Sequence, residues 1–184
     1  IAFHPNFENN RWMFVFYTPK IASAEDNRVM LLSRFKLNSE FKLEDELVLL
    51  RMEGTSSDRW HSGGDMYFNA QGDLYLQVGD NVRDDSRVTD KTYNAAWTSG
   101  NTLSLIGGVV RIHPDSSETG YSVPKGNFGE HFSEVYNDQD YLDADKVLPE
   151  IYAKGMRSNF TSTGHPVKGI HIWGEVNTAS SYDE

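Results

Sequence analysis

One stretch, His61 to Asp80 (HSGGDMYFNAQGDLYLQVGD), constrains the fold of this chain more than any other. Met66, Phe68, Leu74, Leu76 and Val78 fall on alternate positions, the period of strands half-buried against a core. Between them, Ala70-Gln71-Gly72-Asp73 has the polar, glycine-containing chemistry of a short hairpin loop. A hairpin here brings His61, just before its first strand, near Asp80, just after its second. A carboxylate beside an imidazole fixes its tautomer and raises its basicity, as a general base requires. Without further context, His61 also reads as a structural histidine, and Asp80 as a residue that caps a turn.

The flanking sequence is strand-rich. Trp12 to Thr18 (WMFVFYT) is an aromatic and β-branched run, followed by Val29 to Leu37, Leu47 to Met52, Leu105 to Ile112, Val147 to Gly155 and Gly169 to Val176. By periodicity Leu43 to Leu50 also fits a helical turn, but its neighbours favour a strand. The glycines of LIGGVVRI suggest a bulge or close backbone approach. Polar links are expected at residues 20–28, 38–45 and 54–58, and a long polar loop from Asn81 to Gly100. The acidic groups Asp84-Asp85 and Asp138 to Asp145 read as solvated loops.

A turn, a spacer and an aromatic-rich strand ending in a polar corner recur at Phe3 to Thr18, Phe68 to Asp80 and Thr163 to Glu175. Recurrent hairpins without a long amphipathic helix point to a sandwich, barrel or propeller, and long loops on one side favour the propeller. The formal net charge of −10 over 184 residues, with no basic stripe, argues against a nucleic-acid binder. No apolar run approaches the roughly 18 residues of a membrane span. With no cysteine there is no disulfide and no thiolate metal site, and the six histidines lack zinc spacing. The first and last residues read as interior to a motif, so the chain is expected to be part of a longer protein.

The ordered segments IAFHPNF…NRWMFVFYT, NRVMLLSRFKL, HSGGDMYFNAQGDLYLQVGDN, YSVPKGN, PEIYAKGMRSN and WGEV resemble the glucose/sorbosone dehydrogenase family along nearly the whole chain. The resemblance implies an all-β fold: one partial domain over residues 1–184, about three blades of a six-bladed β-propeller. It implies oxidation of a sugar hydroxyl with pyrroloquinoline quinone (PQQ) and calcium, a small sugar as substrate, an electron acceptor as partner, and a periplasmic or extracellular setting. His61 matches the family's base, Asp80 the carboxylate that orients it, and Arg157 the arginine that hydrogen-bonds the quinone. Asn177 and Thr178 match the carbonyl segment that holds the cofactor's calcium, and Asp183 and Glu184 an acidic pair for structural calcium. Trp60 and Asn81 are the expected substrate neighbours.

Three segments depart from the family pattern: Ser158-Asn159-Phe160 after Arg157, Asn177-Thr178-Ala179, and Leu103 to Gly108, which loses two basic residues. They support a rival reading, a cofactor-free propeller of the same ancestry that binds a carbohydrate or protein. A calcium-binding structural module of a larger extracellular protein is a third. Asn159-Phe160-Thr161 is also a glycosylation sequon, which in a eukaryotic protein would put a glycan close to Arg157.

Overall fold

The computed structural model describes residues 1–20, 29–54, 61–82, 95–130, 146–165 and 168–176. The first sheet is a four-stranded antiparallel meander of β1 (Ala2–Phe3), β2 (Trp12–Tyr17), β3 (Val29–Leu37) and β4 (Leu43–Glu53), with the short helix α1 (Phe7–Asn10) between β1 and β2. The second is β5 (Met66–Phe68), β6 (Leu74–Val78), β7 (Gly108–Pro114) and β8 (Tyr121–Ser122). Here β9 (Ile151–Lys154) pairs with the start of β7 while β8 pairs with its end, so the outer position of this sheet is filled by two short strands. A third sheet holds β10 (Asn159–Gly164) and β11 (His171–Glu175). The first strands of the sheets are neighbours, β1 with β5 and β5 with β10, as in successive blades around one axis.

This arrangement explains the sequence repeat. Phe3 to Thr18, Phe68 to Asp80 and Thr163 to Glu175 each run from the end of a blade's first strand (β1, β5, β10) through the strand that pairs with it (β2, β6, β11). The loop at the hairpin tip is tied by Asn69, whose Oδ1 accepts the N–H groups of Gln71 (3.0 Å) and Asp73 (2.8 Å), while Gly72 supplies φ +86°.

Strand β6 is buried at all five positions, not half-buried as its alternation predicts. Leu74, Leu76 and Val78 face the first blade and join Phe14, Leu32, Leu50 and Ile112 in the main core. Tyr75 packs on the other side with Tyr67, Tyr152, Met156 and Trp173, against the third blade. A stacked blade is covered on both faces, so its central strand buries tyrosine and glutamine as well as leucine. Each fully buried leucine contributes roughly 1.5–3 kcal/mol.

Other boundaries shift for identifiable reasons. Leu105 to Gly107 stand outside β7, because Gly107 turns at φ +73° before the strand begins. β4 starts at Leu43, inside the expected polar link, since an outer strand tolerates the exposed Glu44, Asp45 and Glu46. β10, sequence NFTSTG, is a strand despite its polarity: Gln77 Nε2 donates to Thr161 O (2.9 Å), and Asp65 Oδ2 accepts the Ser162 N–H (2.5 Å). Within the expected loop from Asn81 to Gly100, Ala95–Gly100 forms a short helix, α2.

Candidate active site

The register of the central hairpin builds the site. Met66 pairs with Leu76, and the ladder continues past β5 through Gly64 N–H to Gln77 O (2.8 Å) and Gln77 N–H to Asp65 O (3.0 Å). Continued further, that register sets residues 61–62 opposite residues 80–81. The chain achieves this close return through positive φ at His61 (48°), Gly63 (69°) and Gly64 (113°), and at Asn81 (57°) on the facing side. Left-handed backbone at His61 and Asn81 is uncommon for residues with a Cβ, and such strain gathers at functional sites.

His61 Nδ1 lies 2.8 Å from Asp80 Oδ1, with the Asp80 side chain fully buried and that of His61 12% exposed. An ionised carboxylate only accepts, so Nδ1 carries the proton and Nε2 is the basic nitrogen. Asp80 Oδ1 also accepts the Val82 N–H at 3.0 Å. Burial pushes the Asp80 carboxyl above the usual carboxylate range, against the pull of the Val82 N–H, of His61 and of the Arg157 charge. Oδ2 has no hydrogen-bond partner among the described residues.

Arg157 lies in the four-residue link between β9 and β10, the passage from the second blade to the third. Its carbonyl accepts the Asp80 N–H at 2.8 Å, and its own N–H donates to Glu175 Oε1 at 2.6 Å. Arg157 Nε is buried without an acceptor among the described residues. Gly79 sits in the narrowest part of this corner, where a Cβ would stand 1.8 Å from His61 O and 3.0 Å from Arg157 O. Gly79 O accepts from Gly107 N (2.9 Å), and Gly107 O from Met156 N (3.1 Å), so three segments, at 79–80, 107 and 156–157, are tied through their backbones.

Of the residues singled out in the sequence, His61, Asp80 and Arg157 therefore come together. Asn81 adjoins them but is only 3% exposed, part of the packed corner rather than of an open surface. Trp60, Asn177, Thr178, Asp183 and Glu184, like the acidic groups at 84–85 and 138–145, lie outside the described residues. The sequon is closed. Asn159 is fully buried and its Nδ2 donates to Gly108 O (3.1 Å) and Met156 Sδ (3.1 Å), so the nitrogen a glycan would need is already engaged. Glu175 and Gly107, which fasten the corner, carried no local signal beyond a polar strand end and a glycine pair.

The fold and this corner define a class, a partial β-propeller with a buried carboxylate–imidazole pair at the end of a blade's second strand. The family model for glucose/sorbosone dehydrogenase matches residues 1–175, and the chain belongs to that family. Among solved structures it is similar to the apo form of the soluble aldose sugar dehydrogenase of Escherichia coli (17% identity, TM-score 0.67, covering 95% of this chain and 42% of that one). A glucose dehydrogenase structure matches at 20% identity and TM-score 0.65, covering 92% of this chain and 44% of that one. Among curated proteins, the human and mouse Hedgehog-interacting proteins are each 24% identical over 165 residues, 85% of this chain and 20% of the relative. The chain thus spans a fifth of those relatives and less than half of the solved structures, about three blades of a six-bladed propeller.

Proposed function

We propose that this chain carries the base-bearing part of a sugar dehydrogenase that oxidises a sugar hydroxyl with PQQ and calcium. The observation that carries the reading is the 2.8 Å contact between His61 Nδ1 and a fully buried Asp80 carboxylate. Asp80 holds the imidazole in the tautomer whose Nε2 takes the hydroxyl proton, and positive charge on the ring is stabilised by the same carboxylate. Left-handed backbone at both His61 and Asn81, a feature Arg11, Phe41 and Asp45 show singly elsewhere, is consistent with a pre-set His61 side chain.

The residues present fit a quinone on one observation: Arg157 Nε is a buried N–H without an acceptor beside the pair, the donor a quinone or carboxylate oxygen would take. When bound, PQQ supplies the two-electron acceptor. Arg157 would orient it and offset negative charge on its oxygen. Among the described residues no three His, Asp or Glu side chains converge as a metal site. Calcium is assigned, by resemblance alone, to the carbonyls of Asn177 and Thr178 and to Asp183 and Glu184. A secreted or periplasmic setting rests on the same resemblance.

The second reading, a cofactor-free propeller that binds a carbohydrate or protein, is favoured by the similarity to proteins described as Hedgehog-interacting. The departures at Ser158 and at Asn177 to Ala179 point the same way. One assay separates the two: PQQ and calcium are added to the full protein, and dye reduction is followed with a panel of aldoses. Cofactor-dependent turnover supports the dehydrogenase. No turnover, with no spectral change of the quinone, leaves the binding module.

A further inference from the structure

The link from β9 to β10 is held at each of three successive amides. Gly155 N–H donates to Ser99 O (3.0 Å), and Met156 N–H to Gly107 O (3.1 Å), both backbone to backbone. The third, Arg157 N–H, donates to the Glu175 side chain at 2.6 Å. This is the one tether of the three that a side-chain change removes. It lies one peptide unit from the Arg157 carbonyl that accepts the Asp80 N–H at 2.8 Å. Glu175 itself is anchored as the last residue of β11, opposite Asn159, and Val176 N–H extends the pairing one step further on Ser158 O at 2.9 Å. A carboxylate accepting a backbone N–H makes a charge-assisted bond, roughly twice as strong as a neutral one.

We propose that Glu175 is a positioning residue: through the Arg157 peptide it holds the third blade's entrance against Asp80, and so sets the carboxylate against His61. The catalytic consequence rests on the dehydrogenase reading, whereas the positioning itself does not. Glu175 would then act at a distance, touching neither the imidazole nor a substrate.

The test compares Glu175→Ala with Glu175→Gln, which keeps an oxygen acceptor at the same place. Amide exchange over residues 79–82 and 155–158 and the His61 ring nitrogen shifts report the corner directly. In the alanine variant, exchange at Asp80 and Arg157 speeds up about tenfold, as for one lost hydrogen bond, and the ring shifts move from one tautomer toward a mixture. Glutamine restores both to within about threefold of wild type. Where the protein turns over, the alanine variant loses about tenfold in kcat with KM little changed. Alanine that leaves exchange and ring shifts at wild-type values overturns the proposal, as does glutamine that fails to restore them. If wild type lacks turnover while the exchange and ring responses appear, Glu175 still positions the corner and it is the dehydrogenase reading that falls.

Discussion

The backbone N–H of Asp80 donates to the backbone carbonyl of Arg157 at 2.8 Å, joining residues 77 positions apart in sequence. That bond makes one corner of three elements: the end of β6, the link into β10, and the returning segment that carries His61. Asp80 is thus held through its backbone by Arg157 and through its Oδ1 by the Val82 N–H and His61.

Gly79 is the tightest point of that seam. A Gly79→Ala change places a methyl 1.8 Å from His61 O, which backbone movement alone can relieve. The expected cost is about 3 kcal/mol or more, read as a shift in the urea unfolding midpoint, with loss of the His61–Asp80 contact. Gly100→Ala, where nothing lies within 4 Å of the added carbon, is the matched control and is expected to stay within about 0.5 kcal/mol of wild type.

At the other end of β6, Asp73 organises a second buried network. Its Oδ2 accepts Arg111 Nη2 (2.7 Å) and Nε (3.1 Å), and its Oδ1 lies 2.9 Å from His113 Nδ1. Asp73→Ala removes the acceptor of Arg111 Nε and Nη2, leaving a guanidinium whose side chain is 16% exposed with only the Nη1 bond to Lys125 O (2.9 Å), and is expected to destabilise by about 3 kcal/mol in chemical unfolding.

Acid should weaken the fold in two stages. Burial, with the nearby charges of His113 and Arg34, lowers the affinity of His4 for a proton; burial and Arg111 do the same for His171. The unfolded chain then binds protons more readily at these sites, so stability falls as pH drops below about 6.5. Geometry supports this for His4, whose Nδ1 accepts the Asn6 N–H at 3.0 Å and lies 2.9 Å from Asn10 Nδ2. For Asp73, burial raises the carboxyl, but the bonds from Arg111, His113 and Asn69 outweigh it and the net direction is down. Its contribution is therefore present above the ordinary carboxylate range and lost as pH falls through the lowered value. Thermal midpoints measured from about pH 7.5 to pH 3 should show both steps, and His4→Gln should flatten the upper one.

The buried amide of Asn159 predicts an unmodified sequon. Protein secreted from eukaryotic cells should yield the peptide containing Asn159-Phe160-Thr161 without a glycan, as read by mass spectrometry. A glycan at Asn159 would mean that β10 is not folded against Gly108 when the chain is exposed to the transferase.

Much of this site is legible in the sequence, because its governing signal is local. The alternation from Met66 to Val78 and the Asn69–Asp73 turn fix a register that points residue 61 toward residue 80, and the glycines at 63 and 64 allow the close return. β10 was not legible, since NFTSTG has neither apolar alternation nor strong strand propensity, and its partners Asp65 and Gln77 are remote in sequence. Burial of Tyr75 and Gln77 was hidden for a related reason: polar-looking positions become core when a second sheet covers them. The Glu175 tether depends on a backbone amide 18 positions away, which no residue pattern announces.

The most direct test of the central claim is dye-linked aldose oxidation by the full protein with PQQ and calcium, comparing wild type with His61→Gln. The account predicts cofactor-dependent turnover in wild type and a kcat lower by about 10²–10⁴-fold in the variant, with the quinone's absorbance on binding unchanged. Equal turnover in the two proteins would contradict the assignment of His61 as the base.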